Sequence, residues 1–156
     1  IVYWLMGSLS NATNEHVLMI VPTILVGTFV LVRMKWRINV LSLGEESVKA
    51  LGINPGRLIA VILVVSTLIV SAIVSVAGIV GWVGLIIPHI ARMMVGSDHE
   101  VLLPVSALSG AVFFLLIDDL ARTVSPMDIP LGILTALTGA PFFIYLLIKT
   151  KGEWTL

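Results

Sequence analysis

The sequence predicts an all-α fold, a polytopic membrane helical bundle, on three observations. Of 156 residues, 58% are hydrophobic and 12% charged, with a mean hydropathy of +1.12; soluble domains carry about 25% charged residues, roughly twice as many. The apolar residues fall in runs, most of them long enough or nearly long enough to cross a hydrocarbon core of about 30 Å. Basic residues gather where alternate runs end, as they do in a chain that crosses a bilayer repeatedly. Net charge is zero, so there is no bulk attraction to nucleic acid. Absence of cysteine excludes disulfides and thiolate metal sites. The chain opens on Ile1 with no basic segment before its first apolar run, so we expect no signal peptide and read it as the trailing part of something longer.

About five spans follow from the apolar runs. The first covers Val17–Val32 and the second, the most uniformly apolar, Leu58–Val80. The third, Val83–Val95, is short and glycine-rich at its start; the fourth covers Val101–Ile117, with a helical continuation to Val124; the fifth covers Leu131–Ile148. Pro22, Pro104 and Pro141 fall within or beside spans, where neighbouring helices can satisfy the backbone groups they free. Gly78, Gly81 and Gly84 are expected to permit a tight turn and close helix approach.

Direction follows from lysine and arginine, which concentrate on the cytoplasmic side. Placing Arg33, Lys35, Arg37, Lys49, Arg57, Arg92, Lys149 and Lys151 inside leaves Arg122 alone at an outer turn. The chain then starts outside and its C-terminus is cytoplasmic. This parity requires the weak third span, because without it Arg92 and Asp98 fall outside.

Between the first two spans the segment 43–57 reads like the surface of a soluble protein. Ser42 and Glu45 have the S-x-x-E spacing of a capping box, which predicts a helix over Leu43–Leu51, about 13 Å long. Gly52 stands where a left-handed residue would close it, and Pro55 blocks continuation. Val48 and Leu51 share a face, while Glu45 and Lys49 form an i,i+4 pair elsewhere. Such a helix is either a solvated loop or the dock for a cytoplasmic partner.

Other polar residues in apolar surroundings are candidates by default. Asp118 and Asp119 allow a proton relay, and hence a proton-coupled secondary transporter; alternatively Asp118 pairs with Arg122 at i,i+4. His89, after Pro88, is read as a residue near a helix end. Arg92, on the same face, is expected to neutralise C-terminal carbonyls or hold Asp98. His16, His89 and His99 lack ligand spacing, so no metal site and no cofactor is expected. No P-loop, H-E-x-x-H or nucleophile elbow occurs, so we expect no catalytic residue and no enzyme activity in this chain. Asn11-Ala12-Thr13 is a formal sequon to which no role is given.

The order of motifs resembles the permeases of ABC importers for iron-siderophore, haem and cobalamin, the FecCD-like family. Glu46-Ser47-Val48, with Gly52 six residues after Glu46, resembles that family's EAA-type loop. Gly81–Met94, GWVGLIIPHIARMM, resembles its G-F-x-G-L-x-x-P-H-x-x-R signature, with Trp82 where phenylalanine is usual. Ser97–Ala111, Ile117–Thr123, Ile129–Lys149 and Trp4–Ser10 continue the likeness, with Asp128 where glutamate is more usual. The resemblance covers the C-terminal half of a ten-span permease and implies a single transmembrane permease domain over 1–156. It implies an ATPase subunit gripping Glu45, Glu46, Ser47, Lys49, Leu51 and Gly52. It implies a periplasmic or surface-anchored substrate-binding protein docking on Arg122, with Pro88, His89, Arg92 and Asp118 in positioning roles. The further partners implied are a second permease copy, the missing N-terminal half and membrane lipid, in a bacterial or archaeal cell membrane.

Overall fold

The computed structural model describes residues 6–9, 12–124 and 129–151, without the side chains of residues 146–147 and 149–151. Trp4, Ser10, Asn11, Asp128 and the side chains of Lys149 and Lys151, all named above, lie outside the described residues. Seven helices follow one another among the described residues: α1 Asn14–Arg33, α2 Lys35–Leu41, α3 Glu45–Ala50, α4 Pro55–Ala77, α5 Val83–Val95, α6 His99–Val124 and α7 Leu131–Lys151. By length and composition α1, α4 and α6 can each cross a membrane. α5, with 13 residues, reaches only about 20 Å.

Three helix starts are capped by a side chain. Thr13 and His16 cap α1 reciprocally: the Thr13 hydroxyl accepts from the His16 N–H at 3.4 Å and the Thr13 N–H reaches His16 Nδ1 at 3.5 Å. Asn54 caps α4 by accepting the Arg57 N–H at 3.1 Å, and Pro55 sits in the first turn, where its missing N–H costs nothing. Asp98 opens α6, its carboxylate accepting the Glu100 N–H at 2.9 Å and its carbonyl the Leu102 N–H at 2.8 Å.

Packing joins α1 to α4 and gathers α5, α6 and α7 into a second group, which α2 meets through α6. Gly27 of α1 lets the chain of Ile69 on α4 come close: a Cβ at Gly27 would lie 2.6 Å from Ile69 Cγ1. α5 and α7 run the same way, since Gly139 faces Trp82 and Ile86 while Phe142 meets the His89 ring edge at 6.3 Å. Ile117, Ala121 and Leu131 form a buried cluster at one end of the second group, with Phe113, Phe114 and Leu134 against it.

Three expectations change. The Ser42–Glu45 capping box does not form: Ser42 closes α2, its hydroxyl donating to the Asn39 carbonyl at 2.6 Å, and Gly44 precedes α3 with no side-chain cap. α3 is therefore Glu45–Ala50 rather than Leu43–Leu51, because the extra helix α2 uses the residues that would have led into it. α2 itself went unpredicted: Met34 bends the chain without ending its helical hydrogen bonding, since the Met34 N–H bonds Val30 and its carbonyl receives Ile38, and the alternating basic residues 33, 35 and 37 conceal that continuity. Finally, Gly78 does turn the chain, at φ +70°, but Gly81 and Gly84 have nothing within 4 Å of where a Cβ would stand. Close approach falls instead at Gly27, Gly132 and Gly139, where a neighbouring atom occupies the Cβ direction.

Candidate coupling site

The helix ends sort the charged residues. One end of the molecule holds α2, α3, the start of α4 and the 95–99 turn; the other holds residues 6–9, the 77–82 turn, the end of α6 and the start of α7. Arg33, Lys35, Arg37, Lys49, Arg57 and Arg92 all fall toward the first end, with Glu45, Glu46, Asp98 and Glu100 among them. Arg122 falls at the second.

At the first end, α3 is a six-residue helix held from below and closed by its glycine. Val48 is fully buried, a contribution of about 2 kcal/mol. Leu51 takes a near-bridge conformation and Gly52 turns left-handed at φ +73°. The Gly52 N–H then bonds the Lys49 carbonyl at 2.9 Å and the Ile53 N–H bonds Val48 at 3.1 Å, the paired closure of a Schellman motif. A Cβ at Gly52 would meet nothing within 4 Å, so glycine is needed for its backbone angle and not for room. Ser47 donates to the Leu43 carbonyl at 3.3 Å, and Lys49 pairs with Glu45 at 3.4 Å, both side chains about two-thirds exposed. A pair so exposed is worth little.

Apolar surface lies on either side of α3. Leu43 is 71% exposed and Leu51 56%, flanking a helix that carries Glu45, Glu46 and Lys49 outward. Leu51 does not share the buried face of Val48, as the helical spacing had suggested. Beneath, Asn39 of α2 accepts the His99 N–H at 3.2 Å and lies 3.4 Å from the His99 ring. That link ties α2, which touches α3, to the start of α6. The local pattern does not announce it: its only signal is an asparagine in one helix and a histidine in the first turn of another, sixty positions apart.

The remaining nominated residues separate. Arg122 Nε donates to Asp118 Oδ2 at 2.9 Å, and Asp118 is the more buried partner. Asp119 is exposed; its carbonyl accepts the Thr123 hydroxyl at 2.6 Å. Pro88 and His89 lie mid-way along α5, and His89 is exposed there rather than near its end. Arg92 is exposed and, among the described residues, makes no ion pair with Asp98, whose carboxylate caps α6 instead. Among the described residues no group of histidine and carboxylate side chains could hold a metal.

Near the second end an apolar cleft of about 690 Å³ is lined by Met6, Ile79, Trp82, Gly132, Ala136 and others. Trp82 has φ +68° and ψ −34°, with the Val83 N–H bonded to the Gly81 carbonyl at 2.8 Å. This is a γ-turn of the rare positive-φ kind, strained for a residue with a side chain. Its ring meets Phe143 edge-on at 6.1 Å.

The family described as the FecCD transport family matches residues 1–149. This chain belongs to the FecCD transport family. Among curated relatives, the molybdate import system permease protein MolB of Haemophilus influenzae is 44% identical over 97% of this chain and 45% of its own length. The cobalamin import system permease protein BtuC of Halobacterium salinarum is 46% identical over 93% of this chain and 39% of its own. A solved structure of a metal-chelate type ABC transporter in an inward-facing conformation superposes with a TM-score of 0.90 at 44% identity, covering 95% of this chain and 48% of that one. The chain thus spans about half the length of the relatives it matches. Like the permeases of this family, it is a multi-pass membrane protein.

Proposed function

We propose that this chain supplies the C-terminal half of the permease in a binding-protein-dependent ABC importer for a metal-bearing cargo, an iron chelate, haem or a cobalamin-like molecule. The observation that carries the reading is α3: a rigid, glycine-closed helix with leucines exposed on either side, at the charge-rich end of a membrane protein. Exposed apolar residues in a charged setting suit a partner surface better than water. Relatives named for hemin, cobalamin, iron chelatin and molybdate import, at 39–46% identity, support a shared transport role.

In this reading the end that holds α3 is cytoplasmic, as is the C-terminus, and two ATPase subunits grip the α3 helices of a permease dimer. Glu45, Glu46, Ser47, Lys49, Leu51 and Gly52 form the grip, and hydrolysis is the partner's. ATP-driven movement at α3 passes to α6 through the Asn39–His99 link, a rigid-body transmission. Arg122 meets a carboxylate of the substrate-binding protein on the outer face, a geometry that suits guanidinium better than an ammonium.

The test is co-purification. Leu51→Glu should strip the ATPase from the detergent-solubilised complex while the permease still inserts. Arg122→Glu should leave the ATPase bound and weaken capture of the loaded binding protein, more at low salt than at high. An ATPase that stays bound to Leu51→Glu, with unchanged ATP turnover, sinks the assignment of α3.

A further inference from the structure

Arg37 and Arg57 line one pocket of about 330 Å³, together with Met34, Asn54, Leu58 and Val61. No carboxylate lines it, and neither guanidinium has an ion-pair partner among the described residues. Two like charges facing one pocket without a counter-charge repel each other, so an anion placed there is favoured by both. The first turn of α4, a 23-residue helix starting at Pro55, adds its positive end. The other side of the pocket is apolar. One helical turn further along both helices lies a second groove of about 380 Å³ between α1 and α4, lined by Val26, Val30, Val65 and Leu68. Charged head and apolar groove thus follow one another along the same helix pair. From residue 33 back to residue 22 α1 covers about 17 Å, most of the length of an extended acyl chain. Trp36, half exposed beside Arg37, is the residue type that sits at a membrane–water boundary.

We propose that this pocket and groove hold an anionic phospholipid, its headgroup phosphate against Arg37 and Arg57 and one acyl chain along α1 and α4. The site requires that α1 and α4 cross the bilayer and goes beyond the transport reading, while sharing Gly52 with the proposed ATPase grip. Its occupant pins the α1–α2 bend against the start of α4, the two segments that flank α3. A lipid, rather than a protein carboxylate, suits a basic pocket with an apolar groove one helical turn beyond it.

The test is native mass spectrometry of the permease complex released from nanodiscs that contain phosphatidylcholine with or without dioleoyl phosphatidylglycerol. Wild type should retain phosphatidylglycerol in preference to phosphatidylcholine. Arg37→Gln and Arg57→Gln should each weaken retention about fivefold, and the double variant roughly 25-fold, as expected for one cationic contact apiece. Arg92→Gln, at the same end but outside the pocket, should retain the lipid. Val30→Trp, which fills the groove, should weaken phosphatidylglycerol without touching either arginine. Equal retention by wild type and the double variant overturns the site. So does displacement by millimolar inorganic phosphate, which would make it a free-anion pocket. Loss of the ATPase from the double variant with lipid retention intact would assign the arginines to a protein partner instead.

Discussion

The two ends of the molecule are built on different principles. At the second end, backbone meets backbone: the Leu131 N–H bonds the Gly7 carbonyl at 2.8 Å, Gly132 bonds Met6 at 3.0 Å, and Ser8 bonds Ala77 at 2.9 Å. Three segments far apart in sequence are tied together there, next to the buried Ile117–Ala121–Leu131 cluster. At the first end the glycines stand in open space, Gly44 and Gly52 alike. Order there comes from local closures, a Schellman turn and side-chain caps, and leucines remain uncovered. The first arrangement ties distant segments together; the second leaves a short, glycine-closed helix with exposed leucines on either side.

The contrast can be broken most forcefully at Gly132, where a Cβ would drive into the Met6 carbonyl. Gly132→Val should destabilise by about 3 kcal/mol, the upper part of the range for overpacking, and detergent thermal melts of the purified protein should show it. An unchanged melting temperature would mean that residues 6–9 dock loosely and that the second end is not rigid.

Next is the strain at Trp82. Trp82→Ala loses the Phe143 and Gly139 contacts and keeps the unfavourable φ. Trp82→Gly loses the same contacts and relieves it, so the glycine variant should be the more stable of the two by about 1 kcal/mol. Equal melting temperatures would remove the strained turn from the account.

Gly52→Val probes the open end. With space around it, the cost is conformational only, about 1–2 kcal/mol, and Gly52→Asn should recover part of it because asparagine tolerates the left-handed region. The stability loss should be smaller than at Gly132, whereas, on the proposed role of α3, loss of an ATPase partner on purification should be larger; the reverse order would contradict that proposal. The smallest effect belongs to Lys49→Ala. Its exposed pair with Glu45 should be worth no more than about 0.5 kcal/mol and should fade with added salt. A larger, salt-resistant loss would mean that Lys49 contacts more than Glu45.

Much of this was legible in the chain. The third span was placed at Val83–Val95, and the helix has the same bounds. Apolar length, glycine as a stop and the grouping of basic residues are local or additive properties, so they survive without tertiary information. The Arg122–Asp118 pair was legible for the same reason: four residues on one helix bring side chains together whatever surrounds them. By contrast, Ser42 satisfied the capping pattern yet closes a different helix. Its spacing to Glu45 does not say whether the preceding residues are extended or, as here, already helical. Leu51 has the spacing to share the face of Val48 and is nonetheless exposed, because burial depends on what lies opposite.

By itself the sequence determined the all-helical membrane class, the apolar helices and the glycine that closes α3, because bilayer thickness and backbone stereochemistry act on each segment separately. Only the tertiary structure decided which glycines admit a neighbour, that Asn39 reaches His99, that Trp82 is held in a strained turn, and that Arg37 and Arg57 share one pocket. Each of those depends on the position of a second segment, and nothing in the local pattern of the first encodes it.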